Sequence, residues 1–489
     1  MFVNFRILAL RFIAVLPSLF GLGNASMGAS RHSRQPVDID SGLGPLLSKS
    51  ASISHSSSAA PRWSDFDAPK PGTVVNVSTE KDVVETVKYC VAHGITFLAQ
   101  SGAHGWATTF RIGQRDVTIN LRGLNSVTFN NEAQPTLTVG GGSIISEVIA
   151  VADANGAHVP TGNCNCVGTL GAILGGGVGH LMGLYGLGVD NLVTLNLVNA
   201  EGQLVTVDAT QDPDLWWAVR GAGPNFGIVT SATLKAYPRA DRSVWTGSLI
   251  FTEDKIEQIV STINGLELLA PMSIFLYFAT SGAPDYTPTV IVAPFYAGST
   301  ADAEAAFASI LDIGPVANSM QRYPYTQANF ANDALCGKGG RKPSYGSGLS
   351  QMVPATWRSI WNEYVEYVKN PAVGNSSVFV ECYSFETAKK VPDSSSSYPF
   401  RSTVKYTTLV NNWYTDASLD PVAEAFGTKV RDLWRSTDGL AQNSTYVFLE
   451  FAFGDEPLGT VYGENVVKLQ DLKRKYDPRG RFDQWFPLT

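Results

Sequence analysis

Charge is scarce in this chain. Only 16% of its 489 residues are charged and the formal net is -7, so no basic stripe is available for nucleic acid or an anionic membrane. Metal-ligand spacing is missing too: Cys164-Asn165-Cys166 is too tight and has no nearby histidine. No glycine cluster fits G-x-G-x-x-G between a strand and a helix, and no Walker lysine follows one, which argues against a Rossmann nicotinamide site or a P-loop. There is no internal repeat of the kind that makes a solenoid. A membrane span needs roughly 20 apolar residues, and the run Ile7–Leu22 is interrupted by Arg11 and Pro17. That run is predicted to be a signal peptide, with Arg6 before it and the small residues Gly23-Asn24-Ala25 after it.

What is present suits a secreted globular protein. Hydrophobic residues make up 44% and the length exceeds one ordinary core, so two domains are expected. Sequons at Asn24, Asn76, Asn375 and Asn443 agree with a secretory route. The cysteines, Cys90, Cys164, Cys166, Cys336 and Cys382, are odd in number, so one needs a role outside disulfides. If Cys164 goes to a cofactor, the remaining four suffice for two disulfides.

Residues 1–25 read as the signal peptide and 26–68, rich in Ser, Ala, Gly and His, as a mobile leader. Strand-like runs follow at Thr73–Val77, Val117–Leu121, Thr136–Val139, Val193–Val198, Leu204–Val207 and Ile228–Lys235. Thr79 with Asp82 makes a capping-box start for a helix, and further helices are expected at Ser143–Ala154 and Pro213–Val219. After Pro238 the pattern changes to longer helices (Ala301–Leu311, Ala355–Val368) among strands (Met272–Ala279, Thr289–Phe295, Val378–Phe385, Tyr406–Trp413). The fold class is α+β without steady βαβ alternation.

The 46 glycines cluster. Gln100–Trp106, Gly168–Gly179 and Arg220–Ile228 could each present backbone N–H groups to an anion such as a diphosphate. His104 sits in the first stretch between small residues that leave it no packing wall. Cys164 follows Gly162 and precedes the second stretch. An imidazole and a thiol on open backbone are nucleophiles for an electrophilic ring. Glycine for tight turns is a sufficient reading of any one stretch, and a weaker one of all three.

These residues carry a resemblance. Ser101-Gly102-Ala103-His104-Gly105, Gly162-Asn163-Cys164-Asn165-Cys166-Val167-Gly168 with Gly175-Gly176-Gly177, the Arg220–Val229 stretch, Tyr462-Gly463-Glu464-Asn465 and Tyr476-Asp477-Pro478 stand in the order of a berberine-bridge-enzyme-like flavoprotein of the vanillyl-alcohol-oxidase superfamily. The chain resembles the fungal secreted members most. Gln100 stands where the family's first loop, R-S-G-G-H-S, has arginine, and Ala103 replaces its second glycine. Asn165 replaces a proline, and Cys166 lies outside the pattern.

The resemblance implies a two-part, PCMH-type FAD-binding domain (69–238 and 446–489) with a sheet-plus-helices substrate domain (239–445) inserted. It implies FAD held bicovalently, His104 bonding the benzenoid methyl and Cys164 the adjacent ring carbon. Ser101, Gly102, Ala103, Gly105, Trp106, Val167, Gly168, Gly171, Gly227, Ile228, Tyr462 and Asn465 are the further cofactor residues it suggests. Val167 is placed where oxygen reaches the ring. Tyr446 matches a family tyrosine as base or orienting group, with Glu381 and Glu450 as carboxylates that could serve instead. Tyr398-Pro399-Phe400-Arg401 resembles the family's F-P-H-R without its histidine.

The expected activity is a monomeric, secreted oxidase that takes hydride from a small-molecule alcohol, amine or activated C–H and passes electrons to molecular oxygen. A secondary-metabolite intermediate is the preferred substrate. The alternatives are a carbohydrate oxidase, a flavin-dependent cyclase without net oxidation, and a non-catalytic secreted binding protein.

Overall fold

The computed structural model describes residues 38–441 and 444–489. The expected signal peptide, Asn24 and Asn443 lie outside them. Thr79 caps the helix Glu80–His93 through the expected reciprocal box with Asp82, and Gly94 ends it in the left-handed conformation. That helix covers a small sheet whose strands run in the order Ser52–Ser54, Thr73–Asn76, Val117–Asn120, Phe97–Gln100. The last three are parallel, so their carboxyl ends open on the same side. A second sheet is antiparallel, ordered Val127–Asn130, Thr136–Gly140, Ile228–Lys235, Leu192–Val198, Leu204–Val207. Its side chains alternate between core and surface, and Leu137, Val139, Leu195 and Leu234 are buried completely or almost so.

The third sheet has nine strands and is antiparallel throughout. Its long central strands, Met272–Thr280, Pro288–Tyr296, Ser377–Tyr383 and Tyr406–Asn411, are flanked by the helices Ile256–Gly265, Pro354–Tyr367 and Asp420–Arg435. The single helix expected over Ala301–Leu311 is two short ones, Thr300–Ala306 and Ala308–Leu311. Phe307 turns out of helical geometry between them to fill the core beside Trp245.

Three large apolar cores result. One joins Leu137–Ala236 with Val447, Val461, Leu469 and Leu488 from the end of the chain. The second is built from residues between Trp245 and Trp434. The third packs the helix Glu80–His93 on the small parallel sheet through Val83, Val87, Cys90, Val117 and Ile119. Cys90 and Cys382 are buried in different cores, so the second disulfide does not form.

The expected leader is also corrected. From Ile39 onward it is structured: Ile39–Leu43 is a helix, Ser52–Ser54 pairs with Thr73–Asn76, and Trp63 is only 2% exposed. The polar composition hid this, because two isolated large residues, Trp63 and Phe66, supply the anchoring. Asn375 is exposed, whereas Asn76 sits on a strand with its amide bonded to Ser52 and Asn120. Among the described residues no helix is long and apolar enough to cross a membrane.

One buried ion pair links the inserted sheet's loop to the glycine-rich region. Arg401 bonds Asp190 through both nitrogens at 2.5 and 2.6 Å, with side-chain exposures of 1% and 6%. Removing one partner strands a charge in low dielectric, which costs about 3–5 kcal/mol. Asp190→Ala should lower chemical-denaturation stability by that order, and adding Arg401→Met should recover much of the loss. A single-variant loss below about 1 kcal/mol would contradict the assignment.

Candidate active site

The first loop begins where the parallel strand Phe97–Gln100 ends. It is held from outside by the segment Ala60–Trp63. Gln100 donates through Nε2 to Ala60 O, Trp63 N–H donates to Ala103 O at 2.9 Å, and Arg62 donates to Gly105 O at 2.7 Å. Ala103 has φ of 60°, a left-handed conformation that costs an L residue energy and that the tie to Trp63 sustains. The Trp63 ring stacks on the His104 imidazole, centroids 4.4 Å apart and 20° from parallel.

The second loop, Gly162–Gly168, is fixed by Ile145 N–H and Ser146 N–H donating to Val167 O and Asn165 O. It crosses the first loop at glycine. A Cβ on Gly102 would lie 2.3 Å from the Gly168 nitrogen, and one on Gly168 would lie 2.8 Å from Ser101 Oγ. Only two glycines allow that approach. It puts Cys164 Sγ 3.9 Å from His104 Nε2. Cys166 is bonded to Cys336, which ties this loop to the turn Phe330–Cys336. Cys164 is therefore the free thiol of the pair. With Cys166 in a disulfide, His104, Cys164 and Cys166 do not make a metal centre.

Both nucleophiles open on a cavity of about 1520 Å³, part of it open to solvent. Ser101–Trp106, Val167, Gly168 and Gly171 line it from the glycine-rich loops. Tyr277, Phe379, Glu381 and Leu409 line it from the large sheet, and Phe448, Glu450 and Phe451 from the chain's final segment.

Burial and the positive charges of Lys342, Lys338 and Arg62 pull the His104 imidazole down to about 3, so it is neutral near pH 7. Lys342 is itself held by the carbonyls of Trp63, Gly337 and Gly339, between the rings of Trp63 and Trp413. Burial raises the Cys164 thiol to about 11. A neutral imidazole thus faces a protonated thiol, with the Cys166 and Cys336 sulfurs 3.6 and 3.9 Å from that thiol as well.

Glu381 lies on the strand Ser377–Tyr383 and accepts a hydrogen bond from Tyr383 OH at 2.6 Å. Tyr383 in turn accepts from Asn163 of the second loop. Burial lifts the Glu381 carboxyl to about 7, against the lowering effect of that hydrogen bond. Glu450 occupies the single turn Leu449–Phe451. Gly175 makes its room, since a Cβ there would fall 2.0 Å from Glu450 Oε1. Burial lifts Glu450 to about 8.

Five expected site residues do not line the cavity. Tyr446 bridges to Gly348 and packs on Phe400 at 4.7 Å. Gly227 abuts Leu197, where a Cβ would clash, and Ile228 is core. Tyr462 OH donates to Phe486 O, and Asn465 donates to Ser397 O. These residues shape the scaffold that carries the loops. Conversely, Arg62, Trp63, Asn163, Tyr277 and Trp485 line the cavity without having been singled out. Trp485 and Trp63 had a signal, a large aromatic in a polar stretch, while Asn163 and Tyr277 had none beyond their neighbours.

The residues present fit FAD. Ser101 Oγ and Trp485 Nε1 line the cavity buried and without a hydrogen-bond partner. A Cβ on Gly171 would meet nothing, which leaves open space along its helix. The loops thus offer unused donors and bare backbone to a polar, extended ligand.

Known proteins agree with this geometry. Residues 71–208 match the model of an FAD binding domain family. The chain is 35% identical over 433 residues to the FAD-linked oxidoreductase OXR1 of Pyricularia oryzae, covering 86% of this chain and 84% of that one. It is 30% identical to the FAD-linked oxidoreductase srdI of Neurospora crassa, with 95% of each chain covered. Among solved structures, BBE-like 1 of Physcomitrella patens superposes with a TM-score of 0.79 at 20% identity, covering 93% of this chain and all of that one, 100%. A xylooligosaccharide oxidase of Myceliophthora thermophila, solved with xylobiose, gives 0.79 at 20% identity, covering 92% and 99%.

Proposed function

The chain belongs to the berberine-bridge-enzyme-like FAD-linked oxidoreductases, and from that premise we propose that it is a secreted oxidase with bicovalently held FAD. The observation that carries the reading is the convergence of His104 Nε2 and Cys164 Sγ, 3.9 Å apart, in one cavity with Glu381. His104 and Cys164 would hold the cofactor's ring. Bound FAD would take a hydride from a substrate carbon and return the two electrons to an acceptor, for which we propose molecular oxygen.

The chain's own residues do the rest. Glu381 takes the substrate's O–H or N–H proton. Tyr383, held by Asn163, fixes the carboxylate's orientation through its hydroxyl. The cavity that Glu381 lines is mostly apolar, with Tyr277, Phe379, Leu409 and Trp106 in its walls and Asn332 and Asn411 among the polar exceptions. Such a surface suits a flat, apolar natural-product scaffold better than a sugar, whose hydroxyls would need many more polar partners. The apolar N-terminal run, the sequons and the Cys166–Cys336 disulfide support an oxidising, secretory location. We place the protein there as a monomer, without a nucleic-acid partner or a membrane anchor after signal cleavage.

Two measurements test the mechanism. Glu381 is a base only when ionised, so anaerobic flavin reduction should rise with pH through about 7 and then level. Glu381→Gln should slow that step by roughly 10²–10⁴-fold and remove the inflection. Tyr446→Phe should leave it nearly unchanged. An unaltered rate in Glu381→Gln would refute the role. Val167 lines the cavity and packs beside Ile145 and Leu181. Because interiors are close-packed, the extra methylene in Val167→Leu should slow reoxidation by oxygen while sparing reduction. Equal reoxidation rates in stopped flow would remove the oxygen path from Val167, and a very slow wild type would remove the oxidase assignment.

A further inference from the structure

Among the described residues, Arg62 is the only lysine or arginine that lines the cavity. It comes from the segment expected to be a mobile leader. Its Nη1 donates to Gln100 Oε1 at 3.2 Å and its Nη2 to Gly105 O at 2.7 Å, and its guanidinium lies over Phe110 at 4.6 Å. Those bonds use two of the five N–H groups that a guanidinium carries. No carboxylate pairs with it among the described residues. The guanidinium is partly buried, a cation that loses water without gaining a counter-charge is costly, and burial lowers the Arg62 pKa to about 10. An anion brought into the cavity would relieve that cost.

Its surroundings identify which part of a ligand that anion belongs to. Gln100, Gly105, Phe110 and Trp485 all come from the two chain ends that carry the glycine-rich loops, and none from the large sheet that presents Glu381. A Cβ on Gly105 would lie 3.1 Å from the Trp485 ring and 3.8 Å from Arg62 Nη2. The guanidinium meets this loop at Gly105 O, and the same loop brings Ser101 Oγ, buried and unpartnered, to the cavity. Gln100 occupies the position of an arginine in the loop this sequence resembles, so the charge here enters from a residue 38 positions earlier. We propose that Arg62 binds the diphosphate of FAD, the segment Ala60–Trp63 thereby closing on the cofactor as well as on the loop. The proposal rests on the assignment of FAD to this cavity.

Reversible binding tests it. The full-length His104→Ala/Cys164→Ala protein, prepared free of flavin, is titrated with FAD and with riboflavin by fluorescence quenching. Adding Arg62→Gln should weaken FAD by roughly 10–100-fold, reduce the salt dependence of FAD binding, and change riboflavin little. Arg62→Lys, which keeps the charge and guards against misfolding, should retain a preference for FAD over riboflavin. Circular dichroism and thermal unfolding report whether each variant is folded. Equal weakening of FAD and riboflavin would make Arg62 a packing residue, and unchanged FAD affinity would remove the contact. A parent protein that binds neither flavin would overturn the cofactor assignment itself, before Arg62 is changed.

Discussion

The backbone contact between Gly102 and Gly168 is the constraint on which the site depends. A side chain at either position would drive the two loops apart, because a Cβ on Gly102 would meet the Gly168 nitrogen at 2.3 Å and one on Gly168 the Gly102 nitrogen at 2.9 Å, and backbone cannot swing away. Only at that separation do His104 and Cys164 meet at one point of the cavity. The two loops are braced independently, one by Ala60–Trp63 and the other by Ile145, Ser146 and the disulfide to Cys336. The brace from Cys336 reaches across 170 residues, so the walls that meet the substrate are fastened to the loop that carries the thiol.

The electrostatics follow from that closure. Low dielectric and the neighbouring lysines keep His104 neutral, which is the form with a free nitrogen lone pair. The same burial, without compensating cations, raises Glu381 and Glu450 toward neutrality. Opposite shifts for an imidazole and two carboxyls in one cavity share their largest cause, the penalty of burial on whichever form is charged. Glu381 ends near 7, where a base keeps both its proton affinity and its ionised fraction.

Local chemistry was legible in the sequence, and distant pairing was not. The strands Leu204–Val207 and Ile228–Lys235 lie on the residues expected, because their β-branched runs end at turn residues. The capping box at Thr79 was readable from two residues, and the glycine loops announced close backbone approach. The Cys166–Cys336 bond was not readable, since cysteine spacing does not give connectivity. The segment 39–68 was missed because its order comes from Trp63 and Arg62 docking on a loop some forty residues on, which composition cannot express. Tyr446 looked catalytic by its motif, yet the turn Leu449–Phe451 that follows sends Glu450 and Phe451 into the cavity and leaves Tyr446 on Phe400.

Acid denaturation of the purified yellow protein tests the central claim most directly. If His104 and Cys164 both hold the flavin, all of the colour should stay with the precipitated wild-type chain. His104→Ala and Cys164→Ala should each keep one linkage, and the double variant should release its FAD to the supernatant. Complete release from the wild type, or loss of the sulfur linkage in Cys166→Ala instead of Cys164→Ala, would contradict the account.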